Sequence, residues 1–224
     1  MDAVTEAPPI PVLGFATLTK FDMAQRLLDS IDHPVEHLII VNNSGRREFE
    51  PKVNQDLVAN LWHIEVPFGL GANGAWNLII KSTPHAPYWV IPNDDSYFAP
   101  GSLATIAGQV DTDAFNFVDI QPAWSCVVPG EGAILQAGLW DEVFHPIYYD
   151  DDEYEWRMKE LGVRFNKIPA KVLHDNSSTL KSGFSERNNV TFARNRSVFT
   201  NKKVQHNTGI LGWQLKVRRD NRWD

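Results

Sequence analysis

The chain has 224 residues, of which 43% are hydrophobic and 22% are charged, and its formal net charge at pH 7 is −7. This length suits one medium-sized domain with a buried core. The negative charge argues against nucleic acid as the main partner. The sequence has no apolar run of about 18 residues, so it predicts no transmembrane segment.

The N-terminal stretch MDAVTEAPPIP is acidic and rich in proline, unlike the basic and then apolar pattern of a secretion signal. We therefore expect a cytoplasmic protein in which residues 1–9 are disordered. The one cysteine, Cys126, cannot form an intramolecular disulfide, so we expect it to be a small core residue.

Strands and helices alternate through the first half of the chain. The predicted strands are PVLGFA, HLIIVN, LWHIEV, YWVIP and AFNFVDI, and the predicted helices are DMAQRLLDSI, GAWNLIIKS and PGSLATIAGQ. This alternation predicts an α/β fold with a mainly parallel sheet and helices on both faces. In such sheets, ligands bind beyond the carboxyl ends of the strands.

The second half is less regular. We predict helices at EGAILQAG and DDEYEWRMKELG and strands near VRFNKI and KVLH. In DDEYEWRMKELG, Glu155 can pair with Lys159 four residues on, and Gly162 is placed to end the helix. We expect residues 10–180 to form the domain.

Residues 181–224 contain ten Lys and Arg residues but three acidic ones. We expect a small, basic, helical or irregular extension that packs on the domain, and self-association through it would give a homo-oligomer. This charge either forms a solvated surface or reaches a phosphate-bearing ligand or an acidic surface. The candidates for such contacts are Arg187, Arg194, Arg196, Lys202 and Lys203.

Adjacent carboxylates follow the predicted strand YWVIP, in the segment NDDS. An Asx turn needs only one Asp, and a second adds repulsion unless a positive group lies nearby. Carboxylate oxygens suit Mg²⁺ and Mn²⁺, and a metal at this strand end could bridge to a diphosphate.

Four acids in succession, Asp150, Asp151, Asp152 and Glu153, open the helix DDEYEWRMKELG. Acids in a first helical turn stabilise the helix dipole by about 0.3 to 1 kcal/mol each. Four exceed what capping needs, and their repulsion should raise at least one pKa, which would suit a general base. His174, at the end of KVLH, is either a structural histidine or a further metal ligand.

The segment GLGANG fits the G-x-G-x-x-G pattern of dinucleotide-binding proteins, and Asp94 follows about 20 residues later. Two observations argue against this interpretation. Pro67 and Phe68 separate the preceding strand from the glycines, and that strand is the third of the sheet rather than the first. The alternative is that these glycines let the chain pass close to a ligand or a neighbouring strand.

Across residues 11 to about 180, these segments resemble, in order and at similar spacing, the family 2 glycosyltransferases of the GT-A fold. LGFATLTKFDMAQRLLDSI is similar to the first strand and helix, whose loop lines the nucleotide base. LIIVNNSG resembles the second strand, with Asn42 in place of the usual Asp. GLGANGAWN is similar to the segment N-x-G-x-x-x-x-x-N and keeps Gly71 and Asn77. NDD resembles the D-x-D motif, with Asn93 replacing the first Asp and Asp95 in the metal-binding place.

The resemblance continues in the second half of the chain. GLWDEVF is similar to G-F-D-E-x-F, and YYDDDEYEWRMKELG to Y-x-E-D-x-D-x-x-x-R-x-x-x-x-G. In this register Asp150 and Asp151 take the E-D positions, and Glu153 and Arg157 take the next acid and the Arg. HDNSST resembles the segment that gives a His to the metal, which is His174 here.

The resemblance implies a GT-A, Rossmann-like enzyme that moves a sugar from a UDP- or dTDP-sugar to a hydroxyl of a glycan or protein, with inversion. Asp151 would be the general base, and Mn²⁺ or Mg²⁺ would be held by Asp95 and His174. The other expected site residues are Asp150 for catalysis; Thr17, Leu18, Thr19, Asn42, Asn43, Gly71, Asn77, Asn93 and Asp94 for the donor; Trp140, Asp141, Tyr149 and Arg157 for the acceptor or sugar; and Arg194 and Lys202 for the diphosphate.

Two alternatives stay open. A non-catalytic nucleotide-sugar or glycan-binding module would keep the fold, and the replacements Asn42 and Asn93 favour it. A dinucleotide oxidoreductase would instead bind NAD(P) at GLGANG without a metal.

Overall fold

The computed structural model describes residues 7–45, 48–175 and 185–209. These residues contain eight strands, six α-helices and two short 3₁₀ helices. The strands are β1 (Ile10–Thr17), β2 (Val35–Asn42), β3 (Val58–Glu65), β4 (Ile91–Pro92), β5 (Ser96–Phe98), β6 (Phe115–Asp119), β7 (Cys126–Pro129) and β8 (Phe165–His174). The helices are α1 (Phe21–Asp29), α2 (Gly71–Ser82), α3 (Ser102–Gln109), α4 (Glu131–Ala137), α5 (Asp150–Glu160) and α6 (Ser185–Val204).

The strands form one continuous sheet. β1, β2 and β3 pair in parallel, and a parallel bridge between Leu13 and Val90 joins β1 to the segment that leads into β4. β7 lies antiparallel between β4 and β6. β8 pairs in parallel with β6 through its first part and antiparallel with β5 through its last three residues. The strand order is therefore β3-β2-β1-β4-β7-β6-β8-β5.

Helices cover both faces of this sheet, and each face has its own hydrophobic core. The first face contains Leu27 and Leu28 of α1 with Leu103 and Ile106 of α3. The second contains residues of α2, α4 and α5, namely Ile79, Ile80, Ile134, Tyr154 and Met158. Each large apolar side chain that is fully buried stabilises the fold by about 1.5 to 3 kcal/mol. The sheet therefore depends on helices on both faces, as predicted.

The predicted elements occur close to their expected positions, with three differences. VRFNKI and KVLH lie in the single strand β8, and the sequence analysis missed the short strands β5 and β7. β7 has four residues, too few to show a hydrophobic period. Cys126 is fully buried, as expected.

α5 has the local interactions predicted for it. Glu155 pairs with Lys159, and Gly162 follows the helix with a φ of 69°. No described helix is long and apolar enough to cross a membrane. The expectations for residues 1–6, 181–184 and 210–224 and for the Arg187 side chain lie outside the described residues. Residues 7–9 were expected to be disordered, but the Pro8 carbonyl lies 2.8 Å from His33 Nε2.

Candidate active site

The carboxyl ends of the parallel strands bring the predicted donor residues together. Thr17 ends β1 and lies in register with Asn42, which ends β2. The Asn43 N–H donates to the Thr17 carbonyl at 2.7 Å. Asp94 lies in the turn after β4, beside the Thr17 side chain and the Leu18 N–H. The ends of three neighbouring strands therefore share one edge of the sheet.

Asp95 and His174 also meet at this edge. Antiparallel pairing aligns Ser96 of β5 with His174 at the end of β8, and the Asp175 N–H donates to the Asp95 carbonyl at 3.0 Å. This pairing places His174 Nε2 2.9 Å from Asp95 Oδ1, with both side chains less than 10% exposed. Two residues that are distant in sequence thus form a buried carboxylate–imidazole pair.

The Asp95–His174 pair fits a divalent metal ion. The two atoms lie at hydrogen-bond distance, 2.9 Å, which is also compatible with the roughly 3 Å between neighbouring ligands of an octahedral ion with bonds of about 2.1 Å. A mixed oxygen and nitrogen donor set suits Mn²⁺ well. Among the described residues there is no metal-binding group of three or more His, Cys, Asp or Glu side chains. An ion here would therefore complete its coordination with water or substrate oxygens.

Asp94 has a strongly perturbed titration. Burial raises its pKa to about 7, and neighbouring Asp95 adds to the rise, while the Thr17 side chain and the Leu18 N–H oppose it. Near neutral pH, Asp94 is therefore divided between the ionised and protonated forms. In the protonated form it can donate a hydrogen bond as well as accept one.

The first turn of α5 holds the acidic cluster. Asp150 is buried, and Asp151 is partly exposed and accepts a hydrogen bond from the Asp152 N–H at 2.9 Å. Burial, with a smaller contribution from Asp151, raises the pKa of Asp150 to about 7. Of these two acids, Asp151 is the one that a substrate can reach without displacing core residues.

Two tyrosines in the left-handed conformation lead into this turn. Tyr148 has a φ of 78° and Tyr149 a φ of 63°, a conformation that costs a residue with a side chain about 1 to 3 kcal/mol. Such residues persist only where their surroundings hold them in place. The Glu153 N–H donates to the Tyr149 carbonyl at 3.0 Å, so Tyr149 is the N-cap residue of α5. The direction of α5 is therefore set at Tyr148 and Tyr149.

A buried ion network lies behind the acidic turn. Arg157 and Glu153 are both fully buried and pair through two hydrogen bonds of 3.0 Å. Arg157 also donates to the carbonyls of Ala137 and Leu139. Lys202 of α6, 8% exposed, lies 2.7 Å from Glu153 Oε1. Since its guanidinium is enclosed in this network, Arg157 has a structural role instead of the predicted acceptor contact.

Lys202 also contacts Asp141 Oδ2 at 2.7 Å. These two carboxylates engage its ammonium group, so the predicted diphosphate contact is replaced by a structural one. Asp141 is equally occupied, because its other oxygen accepts the Val143 N–H at 3.1 Å. Arg194 is exposed and donates to the His145 carbonyl at 3.4 Å, so its predicted diphosphate role stays a prediction.

The glycines of GLGANG are used for packing within the protein. Gly71 has a φ of 73°, and a Cβ there would lie 2.7 Å from the Pro146 carbonyl oxygen. Two N–H groups at the start of α2 are occupied: Leu70 donates to Asn43 Oδ1 at 2.6 Å and Ala72 to Pro146 O at 2.9 Å. A dinucleotide pyrophosphate would need such N–H groups. These contacts argue against the dinucleotide alternative.

Asn77 and Trp140 have structural roles in place of the predicted ligand contacts. The Asn77 amide bonds the Trp140 backbone N–H and C=O and the Glu142 carboxylate. Trp140 is 1% exposed; its ring stacks on Tyr154 at 4.2 Å and meets the Trp76 edge. A sugar cannot stack on a ring that is covered in this way.

The remaining predicted residues have the following positions. Asn42 accepts from the Ser44 N–H and hydroxyl, Asn93 begins the turn that contains the Asp pair, and the Thr19 hydroxyl is buried. Tyr149 lies against Phe192 and Phe199 of α6. Their binding roles stay predictions.

The sequence analysis missed Asn195 of α6. This residue is fully buried, and its Nδ2 lies within hydrogen-bond distance of the carbonyls of Phe144, Ile147 and Tyr148, which share its two N–H donors. The available signal was the helical spacing of Thr191, Asn195 and Lys202, which places three polar residues on one face.

Comparison with known proteins gives a partial match in sequence. No family model matches the chain. Over 92 residues it is 37% identical to a galactofuranosyl glycosyltransferase of Leishmania donovani, a match that covers 41% of this chain and 20% of that protein. The chain thus spans about a fifth of the length of the relative it matches.

Solved structures share the fold, and three of them each match 74% of this chain. Staphylococcus aureus TarS matches with a TM-score of 0.56 and 11% identity over 36% of its chain, and its residues 1–349 with 0.55 and 11% over 60%. GalNAc-T7 with UDP, GalNAc and Mn²⁺ matches with 0.54 and 9% over 44%. The protein therefore has the mixed α/β, GT-A-like fold of these structures.

The buried ion network predicts a large effect of one substitution. Glu153→Gln should lower the free energy of unfolding by about 3 to 5 kcal/mol, because it leaves Arg157 and Lys202 buried without their shared carboxylate. Glu160→Gln, at an exposed position of the same helix, should change it by less than about 0.5 kcal/mol. Urea unfolding of both variants measures the difference, and equal effects would contradict the network.

The raised pKa of Asp150 predicts a pH-dependent stability. Above pH 7 the native protein holds a buried charge, so Asp150→Asn should be more stable than the wild type. As the pH falls from 7 towards 4, native Asp150 takes up a proton that the unfolded chain does not bind. The free energy of unfolding of the wild type should then rise relative to that of the variant by about 1.4 kcal/mol per pH unit. Urea unfolding at pH 8, 7, 6 and 5 tests this, and a constant difference would contradict it.

Proposed function

We propose that this protein is a glycosyltransferase of the family 2 type, which moves a sugar from a pyrimidine diphosphate sugar to an acceptor hydroxyl with inversion. One observation carries the proposal: His174 Nε2 lies 2.9 Å from Asp95 Oδ1 at the carboxyl edge of the sheet. This pair, which lies where α/β sheets bind ligands, would supply two of the ligands of a divalent ion bound to a diphosphate donor. The GT-A-like fold and the galactofuranosyl relative support the same class.

The donor side consists of the ends of β1, β2 and β4. In this proposal Asp94, which lies beside Thr17 and Leu18, bonds hydroxyls of the ribose or of the sugar. A divalent ion held by Asp95 and His174 would supply one effect, the neutralisation of charge on the leaving diphosphate. Mn²⁺ is our first choice because one ligand is an imidazole.

Asp151 acts as the general base on the acceptor side. It takes the proton from the acceptor hydroxyl while that oxygen forms a bond to the anomeric carbon. The bond from this carbon to the diphosphate oxygen breaks, and its electron pair leaves with the diphosphate. Because the attacking and leaving oxygens lie on opposite sides of the carbon, the configuration inverts. The acceptor, which we propose to be a glycan or a protein, is bound on the α5 side.

Metal-dependent binding of a nucleotide is the first expected result. A ligand at about 100 times its Kd adds about 2.7 kcal/mol and should raise the Tm by about 5 to 10 °C. We expect this shift with UDP or dTDP in the presence of Mn²⁺, but not with GDP, with NAD or after chelation by EDTA. Thermal unfolding with each ligand, with and without Mn²⁺, measures it.

The matched variants for this measurement are Asp95→Ala and His174→Ala, which should abolish the Mn²⁺-dependent shift. Asp113→Ala, an exposed carboxylate on a loop, should keep it. A shift with NAD alone would overturn the proposal in favour of a dinucleotide-binding protein.

Removal of the general base is expected to separate catalysis from binding. Asp151→Asn should lower kcat by about 10² to 10⁴ and leave the affinity for the donor nucleotide unchanged, because the base acts on the acceptor. Asp152→Asn, at the exposed neighbouring position, should keep kcat within about threefold. Transfer assays should include UDP-galactofuranose, since the relative is named for that sugar.

Two results would contradict these assignments. Full turnover by Asp151→Asn would contradict the assignment of Asp151 as the general base. Nucleotide binding without transfer to any acceptor would instead indicate a non-catalytic binding module.

A further inference from the structure

We propose that α6 is a positioning element for the acidic turn of α5, and that Asn195 is its central residue. The inference rests on the proposed function, because it assigns a catalytic use to the direction in which Asp151 points. It adds a role for a residue outside the strand ends and outside the acidic motif. Asn195 acts through the backbone of residues 144–149 and touches no reacting atom.

The buried face of α6 is polar, which is unusual for a docked helix. Thr191 and Lys202 are each 8% exposed and Asn195 is fully buried, whereas Val190 and Val204 are more than 70% exposed. Hydrophobic burial alone would have placed the valines inside. The orientation of α6 is therefore set by specific polar contacts.

The side-chain amide of Asn195 contacts three backbone carbonyls of the loop before α5. Its Nδ2 lies 3.0 Å from Phe144 O, 2.9 Å from Ile147 O and 3.0 Å from Tyr148 O. These contacts bracket the left-handed residue Tyr148, whose φ is 78°. A buried amide that bonds carbonyls on both sides of a strained residue supplies the surroundings that such a conformation needs.

Aromatic contacts extend this hold to the start of α5. Phe192 of α6 packs against the rings of both Tyr148 and Tyr149 at 5.7 and 5.0 Å between centroids. Phe199, one helical turn after Asn195, contacts Tyr149 at 5.8 Å. Both left-handed tyrosines are therefore fixed by residues on either side of Asn195.

Lys202 supplies a second anchor, two turns further along α6. It joins Asp141, before the loop, to Glu153, within the first turn of α5. The loop and the acidic turn are thus attached to the same helix at both ends. If α6 shifts, the carboxylate of Asp151 changes direction even though its own residue is intact.

The loop also connects the acidic turn to the strand ends. The Ala72 N–H donates to Pro146 O, and Asn43 Oδ1 accepts from the Leu70 N–H. Asn195 therefore holds a loop that lies against the start of α2, which in turn is bonded to the end of β2. This chain of contacts relates the position of the base to the donor edge.

A double-mutant cycle tests whether Asn195 acts through Asp151. Asn195→Ala should lower kcat by about 10-fold or more in the wild-type background, because small displacements of a catalytic group are costly. In the Asp151→Asn background the same change should cost less than about 2-fold, since no base remains to be misplaced. The affinity for UDP with Mn²⁺ should be unchanged in both backgrounds. Asn201→Ala, at an exposed position of α6, should leave kcat unchanged.

Equal losses in the two backgrounds would overturn the proposal, because a general loss of folded protein lowers the rate regardless of the base. A parallel loss of UDP affinity would overturn it as well. If Asn195→Ala does not fold, Asn195→Ser, which keeps one hydroxyl donor, replaces it in the cycle.

Hydrogen exchange tests the positioning without any activity. Asn195→Ala in the full chain should speed amide exchange in residues 144–153 by about 10-fold or more and leave residues 88–98 unchanged. Unchanged exchange in residues 144–153 would overturn the proposal. A wild type without transfer activity but with this exchange pattern would refute the proposed function alone, so the two failures are distinguishable.

Discussion

The pairing of Glu153 with two cations in the protein interior is the interaction on which the acidic half of the site depends. Arg157 donates hydrogen bonds to Glu153 and to carbonyls near the end of α4. Lys202 of α6 pairs with the same Glu153 carboxylate and with Asp141. Buried charges are tolerated only when they are paired and hydrogen-bonded. This requirement ties α4, α5 and α6 to one another at a single point.

The two halves of the candidate site are built in different ways. On the donor side, the register of the sheet positions the side chains. Thr17 lies beside Asn42 because β1 and β2 pair, and Asp95 lies beside His174 because β5 and β8 pair. On the acidic side no sheet is involved. There, a loop with strained backbone is held by side chains from a distant helix, and its direction depends on Asn195.

Sequence patterns predicted the features that local physics determines. The apolar runs of β1 and β2, the spacing in α5 and the stop at Gly162 each depend on neighbours in the chain. The Asp95–His174 pair was assigned through the resemblance, because no local pattern relates the turn between β4 and β5 to the end of β8. The burial of Trp140 and the enclosure of Arg157 and Lys202 were missed, since each depends on partners far away in sequence. Polar residues read as ligands can equally be core residues with satisfied hydrogen bonds.

The polar face of α6 also has a consequence for how this protein would fail. A helix held by hydrophobic packing exposes a hydrophobic surface when it detaches, and such surfaces promote aggregation. Behind α6 lie carbonyls and carboxylates, which water solvates readily, together with the rings of Tyr148, Tyr149 and Trp156. Damage to this contact would therefore expose a largely polar surface with a few aromatic rings, so we expect the protein to lose activity more readily than solubility.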